Sequence, residues 1–208
     1  MSKKFKLQNK YYGENFKMFS CENIELENGL TVLVGCNGAG KTTFMRQIEN
    51  QLKKEKIPVI YHDFLTHSIR EFRQSALDNE NIEFLALSVS SSEGENIQLV
   101  LGEVAREMGT LIRRSNPDAK EYWFLFDALD SGLSIDGINE IKKNLFSMVI
   151  DKERNKDIYI IVSTNSYEFA REESCFDVSG GKYITFKDYG DYRNFIIKSR
   201  QNKDKRYG

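Results

Sequence analysis

The sequence predicts an α/β fold in which a mainly parallel sheet is flanked by helices. The first observation is a set of apolar runs of strand length, which lie at 30–34, 57–61, 122–126 and 158–162. Such runs are typical of strands that are buried on both faces of a parallel sheet. The second observation is that segments with apolar residues at helical spacing separate these runs, as crossover connections between parallel strands require.

The segment after residue 127 is an example of this helical spacing. Its apolar stripe predicts a helix whose packed face carries Ile135, Ile138, Ile141, Leu145 and Met148.

The beginning of the chain follows a different pattern. Short apolar runs alternate there with turn-forming residues, which predicts an N-terminal antiparallel β layer with strands at 5–7, 16–19 and 24–26. This layer leads into the first buried strand at 30–34.

A glycine-rich loop follows that first buried strand. Residues 35–43, which we call the P-loop, read Gly35-Cys36-Asn37-Gly38-Ala39-Gly40-Lys41-Thr42-Thr43 and match the pattern G-x-x-x-x-G-K-[ST] in full. A predicted helix follows, and its positive end together with the backbone N–H groups of the loop suits a phosphate chain. We expect Lys41 to contact the β- and γ-phosphates of a nucleotide and the Thr42 hydroxyl to bind Mg²⁺.

A second motif ends the apolar run 122–126. Asp127 follows this run directly, and an aspartate at the end of a buried strand is the pattern that holds a carboxylate beside the Mg²⁺ of a P-loop. We therefore predict that Asp127 is a magnesium ligand.

Polar residues also follow two other predicted strands, and two interpretations stay open for each. Asp63, after the run 57–61, either contacts magnesium or water at the sheet edge or caps the next helix. Residues 163–166, which we call the switch loop, contain Asn165 and either sense the γ-phosphate or cap the helix that follows.

The serine- and glycine-rich segment 90–96 comes before another amphipathic helix. It contains Ser92, Gly94 and Glu95. On the residues alone, this segment is either a second anion-binding helix N-terminus or an ordinary capped helix start.

The bulk composition bounds the class of protein. A chain of 208 residues suits a single domain over residues 1–208, and a net charge of −1 predicts no general affinity for nucleic acid. Three cysteines without a C-x-x-C pair argue against zinc and disulfide frameworks. The chain starts without the apolar core of a signal peptide, and no apolar run has membrane-spanning length, so we expect a cytoplasmic protein without a membrane partner.

Four segments, GCNGAGKTT, SSSEGEN, FLFDALDSGLS and IVSTNS, resemble in this order the motifs of the ATP-binding-cassette superfamily. They are most similar to its soluble SMC/RecF-like branch, the small AAA-type ATPases of bacteria and phages, over nearly the whole chain. The resemblance implies an ABC-ATPase head-like fold, ATP and Mg²⁺ as cofactors, and a homodimer that encloses two nucleotides. Ser92, Gly94 and Glu95 of one subunit would then bind the nucleotide that lies on the P-loop of the other.

Two positions depart from the pattern of this superfamily. Ala128 stands where a glutamate usually acts as general base, and Asn165 stands where the switch loop usually has histidine. A methyl group cannot polarise water and an amide is a poor base, so we expect slow hydrolysis or a need for a partner. Asp130 is the candidate substitute base, and the predicted catalytic residues are Lys41, Asp127, Asp130 and Asn165.

Two alternatives to a dimerising ATPase stay open. The missing base also suits a non-hydrolytic nucleotide switch that regulates a partner protein, and the size and loop spacing allow a small P-loop kinase. The resemblance, together with a basic tail at about 198–208, raises DNA as a further partner, in the DNA metabolism of a phage or mobile element or in defence.

Overall fold

The computed structural model describes residues 1–9, 17–65, 74, 77, 81–90, 93–115, 119–131, 133–153 and 155–204. Within these ranges the chain forms a small sheet, a large sheet and helices that pack on the large sheet. Among the residues so described, no helix has both the length and the apolar character that a membrane span needs.

The small sheet is an antiparallel pair, β1 (Ser2–Lys6) and β2 (Asn23–Glu27). The large sheet has six strands in the order β4-β5-β6-β3-β7-β8. They are β3 (Gly29–Val34), β4 (Val59–Asp63), β5 (Glu121–Asp127), β6 (Asp157–Ser163), β7 (Cys175–Asp177) and β8 (Lys182–Ile184). Every pairing in the large sheet is parallel except that of β7 with β8.

The helices lie between these strands in the chain. They are α1 (Lys41–Lys54), α2 (Ile82–Ser90), α3 (Glu93–Arg114), α4 (Ile135–Glu140), α5 (Ser147–Lys152), α6 (Tyr167–Ala170) and α7 (Tyr189–Asp204). A π-helical stretch (Ile141–Phe146) joins α4 to α5.

The large sheet is buried on both faces because the inner positions of its central strands are almost all apolar. Trp123 and Leu125 of β5 face the cluster that contains α1 and the small sheet. Phe124 and Phe126 face the opposite cluster, which contains α3 and the π-helical stretch. Trp123 stacks on Tyr159 of β6 with ring centroids 4.0 Å apart. The prediction of a mainly parallel sheet flanked by helices is confirmed, and two strands of the predicted N-terminal antiparallel layer are present as the pair β1–β2.

Three predicted boundaries are wrong. Asp63 lies inside β4 rather than after the strand, because β4 pairs with β5 as far as the position where Asp63 faces Asp127. Helix α3 begins at Glu93, so Gly94 and Glu95 belong to its first turn. The described part of the predicted strand at 16–19 forms no strand, and its Phe19 packs edge-on against Phe44 of α1.

The predicted apolar face after residue 127 is wrong at both of its ends. Ile138 and Ile141 are buried, but 63% of Ile135 and 43% of Met148 is exposed. A π-helical turn contains more residues than an α-helical turn, so it rotates the face that points to the sheet. Phe146, which the regular spacing left out, takes the buried position.

The described part of the basic tail is helical, because α7 continues as far as Asp204. Arg200 pairs with Asp204 at 3.0 Å, one turn further along α7. Residues 205–208 lie outside the described ranges, as does Ser92.

We predict that Ile161→Ala lowers the free energy of unfolding by about 2–5 kcal/mol, because it leaves a cavity in the middle of the large sheet. Ile161 is fully buried in β6. Urea denaturation measures the change. The matched control is Ile135→Ala, which removes the same atoms from an exposed side chain and should change the free energy by less than about 0.5 kcal/mol. Equal losses in the two variants would contradict this packing.

Candidate nucleotide site

The topology of the large sheet brings four strand ends to one edge. Strand β6 lies between β3 and β5, so the switch loop comes between the P-loop and Asp127. A cavity of about 340 Å³ opens at this edge. Its lining residues come from the P-loop, the strand ends and two apolar side chains, and they are Met18, Asn37, Gly38, Gly40, Lys41, Thr42, Thr43, Leu65, Asp127, Ala128, Ser163, Thr164 and Asn165.

The P-loop has the backbone that its glycines predict. Gly38 and Gly40 have φ values of 78° and 99°, which lie in the left-handed region that glycine adopts without strain. Helix α1 starts directly after Gly40, and among the described residues no side chain caps this helix start. The first N–H groups of α1 therefore remain available to an anion in the cavity.

Lys41 reaches back over the P-loop. Its Nζ donates to the carbonyl oxygen of Gly35 at 2.7 Å and, more weakly, to that of Cys36 at 3.4 Å. It also donates to Oδ1 of Asn165 at 2.9 Å. Burial lowers the pKa of Lys41, and electrostatic interactions with the Cys36 thiol and with the carboxylates of Asp130 and Asp127 oppose this shift. An anion in the cavity would favour the charged ammonium group and relieve that cost of burial.

Asp127 is buried at the end of β5, and both of its carboxylate oxygens accept hydrogen bonds. The hydroxyl of Ser163, at the end of β6, donates to Oδ1. The hydroxyl of Tyr61, from β4, donates to Oδ2 at 3.0 Å. Each oxygen keeps a second lone pair, so Asp127 retains the capacity to bind a cation.

Tyr61 links Asp127 to helix α1. The guanidinium carbon of Arg46 lies 3.7 Å from the centre of the Tyr61 ring, which is the geometry of a cation–π contact. Burial and then the Asp127 carboxylate raise the pKa of Tyr61, so its hydroxyl stays a proton donor.

The segment after Asp127 positions the switch loop. Ala128 has a φ of 53°, in the left-handed region. Its N–H donates to the Ser163 hydroxyl oxygen at 3.0 Å. Two residues later, Oδ2 of Asp130 accepts the N–H of Asn165 at 3.0 Å. One oxygen of Asp130 is thus used to hold the switch loop.

A family model described as an AAA ATPase domain matches residues 12–206. The chain belongs to the AAA ATPase domain family. The domain therefore has a P-loop nucleoside triphosphatase fold and binds ATP. The geometry of the P-loop and of Asp127 agrees with this assignment. A search of curated proteins gave no match.

The predicted site residues of this AAA ATPase domain fall into three groups. Those that line the cavity are Asn37, Gly38, Gly40, Lys41, Thr42, Thr43, Asp127 and Asn165. Gly35, Cys36 and Ala39 are in the same loop but not in the lining, and Asp130 lies behind the switch loop. Ser92 and the side chain of Glu95 lie outside what the structure describes, and Gly94 is described only as part of the backbone of α3.

Asp63 does not line the cavity. Its Oδ1 accepts the N–H of Leu65 at 3.0 Å, so this carboxylate caps the turn that follows β4. Of the two interpretations of Asp63, this contact is that of a cap, which lies on the turn at Phe64 and Leu65. Residues 66–73, where the next helix is predicted, lie outside the described ranges.

The residues present suit a magnesium ion only in combination with a ligand. Among the described residues, no group of three or more histidine, cysteine, aspartate or glutamate side chains could hold a metal ion. Thr42 and Asp127 line the same cavity and offer one hydroxyl and one carboxylate. Magnesium is commonly held by few protein oxygens together with substrate phosphates and water, so these two residues fit that role.

Sequence reasoning missed the roles of Tyr61 and Tyr192 in this AAA ATPase domain. Tyr192 of α7 donates its hydroxyl to the carbonyl oxygen of Asn165 at 2.9 Å. The partners are separated by 66 residues for Tyr61 and Asp127 and by 27 for Tyr192 and Asn165. Both tyrosines belong to apolar patterns, which gave no signal that their hydroxyl groups serve the site.

We predict that Tyr61→Phe lowers the free energy of unfolding by about 1–2 kcal/mol at pH 7, because a buried carboxylate oxygen loses its donor. Chemical denaturation measures this loss. The control is Tyr189→Phe, since 60% of Tyr189 is exposed, and it should leave the stability unchanged. An unchanged stability of Tyr61→Phe would contradict the role given to this hydroxyl.

The same variant has an expected pH dependence. The pKa of Tyr61 in the folded chain is raised above the ordinary value of 10.0, so its stabilising contribution is complete below that pH. Above it the unfolded chain loses the proton and the folded chain keeps it, so the contribution falls as the pH rises. Between about pH 10 and 11, Tyr61→Phe should lose less stability with pH than the unmodified chain does.

Proposed function

We propose that this AAA ATPase domain works as a head of the SMC/RecF-like branch of the ATP-binding-cassette superfamily. In this proposal two copies enclose two ATP molecules and hydrolyse them slowly. The observation that carries it is the meeting of Lys41, Asp127 and the switch loop in one cavity, which the strand order β5-β6-β3 produces. The antiparallel pair β1–β2, packed over α1, agrees with a head-like architecture.

The first step of the proposed mechanism is binding of the phosphate chain. The N–H groups at the start of α1 and the Lys41 ammonium group bind the phosphates, and the Lys41 contacts with the loop carbonyls give way to them. Thr42 and Asp127 would hold a magnesium ion, which would supply positive charge to neutralise the phosphates. Ser163 and Tyr61 keep the Asp127 carboxylate aimed at the cavity.

The second step is dimerisation. The nucleotide cavity of a single copy is open to solvent. Leu65 lines this cavity, and 72% of its surface is exposed. The start of α3, with Ser92, Gly94 and Glu95, is the proposed surface that covers the nucleotide of a second copy. A helix of 22 residues presents a positive N-terminus, which favours contact with the γ-phosphate. ATP would then join the copies, and ADP would not.

Slow hydrolysis follows from the groups around the attacking water. Ala128 lines the cavity with a methyl group only. The amide oxygen of Asn165 accepts a hydrogen bond from Lys41, and one carboxylate oxygen of Asp130 accepts a hydrogen bond from the switch loop. A general base contributes about 10²–10⁴-fold to a rate. ATP hydrolysis by this chain should therefore be slower, by a factor of that order, than hydrolysis by an ATPase that has a general base.

The same observation favours a second candidate function, a nucleotide switch that binds ATP without turnover and controls a partner protein. The two functions differ in one measurable property. Phosphate release above that of a Lys41→Ala variant supports the slow ATPase, and release equal to it supports the switch.

The test of the proposed function is the mass in solution, measured by light scattering without nucleotide, with ADP, and with ATP and Mg²⁺. We predict a dimer only in the last sample, because the contacts that join the copies require the γ-phosphate. Phosphate release from the same samples measures turnover.

Lys41→Ala is the control, and it should remain a monomer in all three samples because it lacks the ammonium group that binds the phosphates. Asp127→Asn, which weakens magnesium binding, should slow phosphate release. A monomer of the unmodified chain in ATP and Mg²⁺ would contradict the proposed dimer.

We predict that Ala128→Glu raises the rate of ATP hydrolysis at least about tenfold, because it places a carboxylate base in the cavity. The matched control is Ala128→Gln, which has the same size and cannot accept a proton, and it should not raise the rate. Steady-state phosphate release measures both variants. An equal rate in the two variants would show that a missing base does not limit hydrolysis.

A further inference from the structure

The C-terminal helix α7 reaches the P-loop in two places. Nζ of Lys203 donates to the carbonyl oxygen of Asn37 at 3.0 Å. One turn earlier, the Ser199 hydroxyl oxygen accepts the N–H of Cys36 at 3.2 Å. Lys203 is also close to the next loop residue, since a β-carbon built on Gly38 would lie 2.7 Å from its Nζ. The ammonium group of Lys203 therefore lies on the P-loop itself.

The other end of α7 is anchored in the core, which fixes the position of Lys203. Tyr192 is buried, and its hydroxyl donates to the Asn165 carbonyl oxygen of the switch loop. Its ring packs against Tyr167 and Phe186. Helix α7 thus contacts the switch loop through its first half and the P-loop through its last turns.

The charge of Lys203 has no carboxylate to balance it among the residues that the structure describes. The neighbouring cation Arg200 pairs with Asp204, but the ion pairs of the described residues do not include Lys203. Its one described hydrogen bond goes to a neutral carbonyl group, and an ammonium group has three donors. A positive charge with spare donors, held against a phosphate-binding loop, is suited to an anionic ligand.

We propose that Lys203 is a second lysine of the nucleotide site, whose ammonium group binds the phosphate chain of ATP together with Lys41. Asn37 and Gly38, which Lys203 contacts, line the cavity that contains Lys41. The flexible stem of the lysine allows the ammonium group to turn from the Asn37 carbonyl to a phosphate oxygen. The proposal rests on ATP binding at the P-loop and does not depend on dimerisation.

A purely structural role, in which Lys203 only supports the Asn37 carbonyl, makes different predictions. A contact between an ammonium group and a phosphate is weakened by salt. Loss of a structural support lowers the melting temperature without nucleotide, and it weakens ATP binding equally at all salt concentrations. The salt dependence of binding therefore separates the two roles.

The experiment is a titration with ATP of the full chain and three variants, Lys203→Met, Lys203→Arg and Lys198→Met, at low and high salt. At low salt Lys203→Met should bind ATP about tenfold more weakly, and this difference should shrink at high salt. Lys203→Arg keeps the charge and should retain most of the affinity. Lys198→Met, on an exposed position of the same helix, is the matched control and should bind as the unmodified chain does.

Unchanged ATP affinity in Lys203→Met overturns the proposal. A loss that is equal at both salt concentrations and comes with a lower melting temperature also overturns it, in favour of the structural role.

A second measurement needs no variant. Lysine acetylation of the unmodified chain is followed by mass spectrometry with and without ATP, at a protein concentration where scattering shows a monomer. ATP should protect Lys203 and Lys41 but not Lys198, and equal labelling of Lys203 with and without ATP overturns the proposal. Because the chain is monomeric in this assay, failure of the proposed dimer leaves the result readable.

Discussion

A buried carboxylate at the end of the central strand β5 is the constraint on which the nucleotide site depends. The oxygens of this buried carboxylate, Asp127, need hydrogen-bond donors, and these come from the strands on either side, Tyr61 from β4 and Ser163 from β6. The two hydrogen bonds tie three neighbouring strand ends together at the edge where the P-loop begins. The need to satisfy one charge therefore fixes the geometry of the cavity.

The positive charge in the cavity, that of Lys41, is also held by hydrogen bonds, and a ligand can replace the groups that accept them. Lys41 donates to Gly35 and Asn165, and burial makes its charge costly. A phosphate chain would stabilise the charged ammonium group with full negative charges, whereas the acceptors that Lys41 now contacts, a carbonyl and an amide oxygen, are only dipoles. Asp130 and Tyr192 hold the switch loop. This loop would respond to phosphate binding, because Asn165 and the phosphates would compete for the Lys41 ammonium group.

Local pattern was enough to predict the parts of the fold and site that depend on near neighbours. The P-loop, Asp127 and the buried strands are each specified within about ten residues, so periodicity and motif spacing predict them. The exposed Ile135 could not be predicted, because the π-helical stretch that rotates its face depends on packing of the whole segment. The contact of Lys203 with Asn37 spans 166 residues, and a basic tail gives no signal for it.

The central claim is that this cavity recognises the phosphate chain of ATP. Calorimetric titration with ATP and with AMP, which share the base and the ribose, tests it most directly. We predict that ATP binds about a hundredfold more tightly than AMP, since the charge-assisted hydrogen bonds to the outer phosphates are lost with AMP. Equal affinities for the two nucleotides would contradict the account.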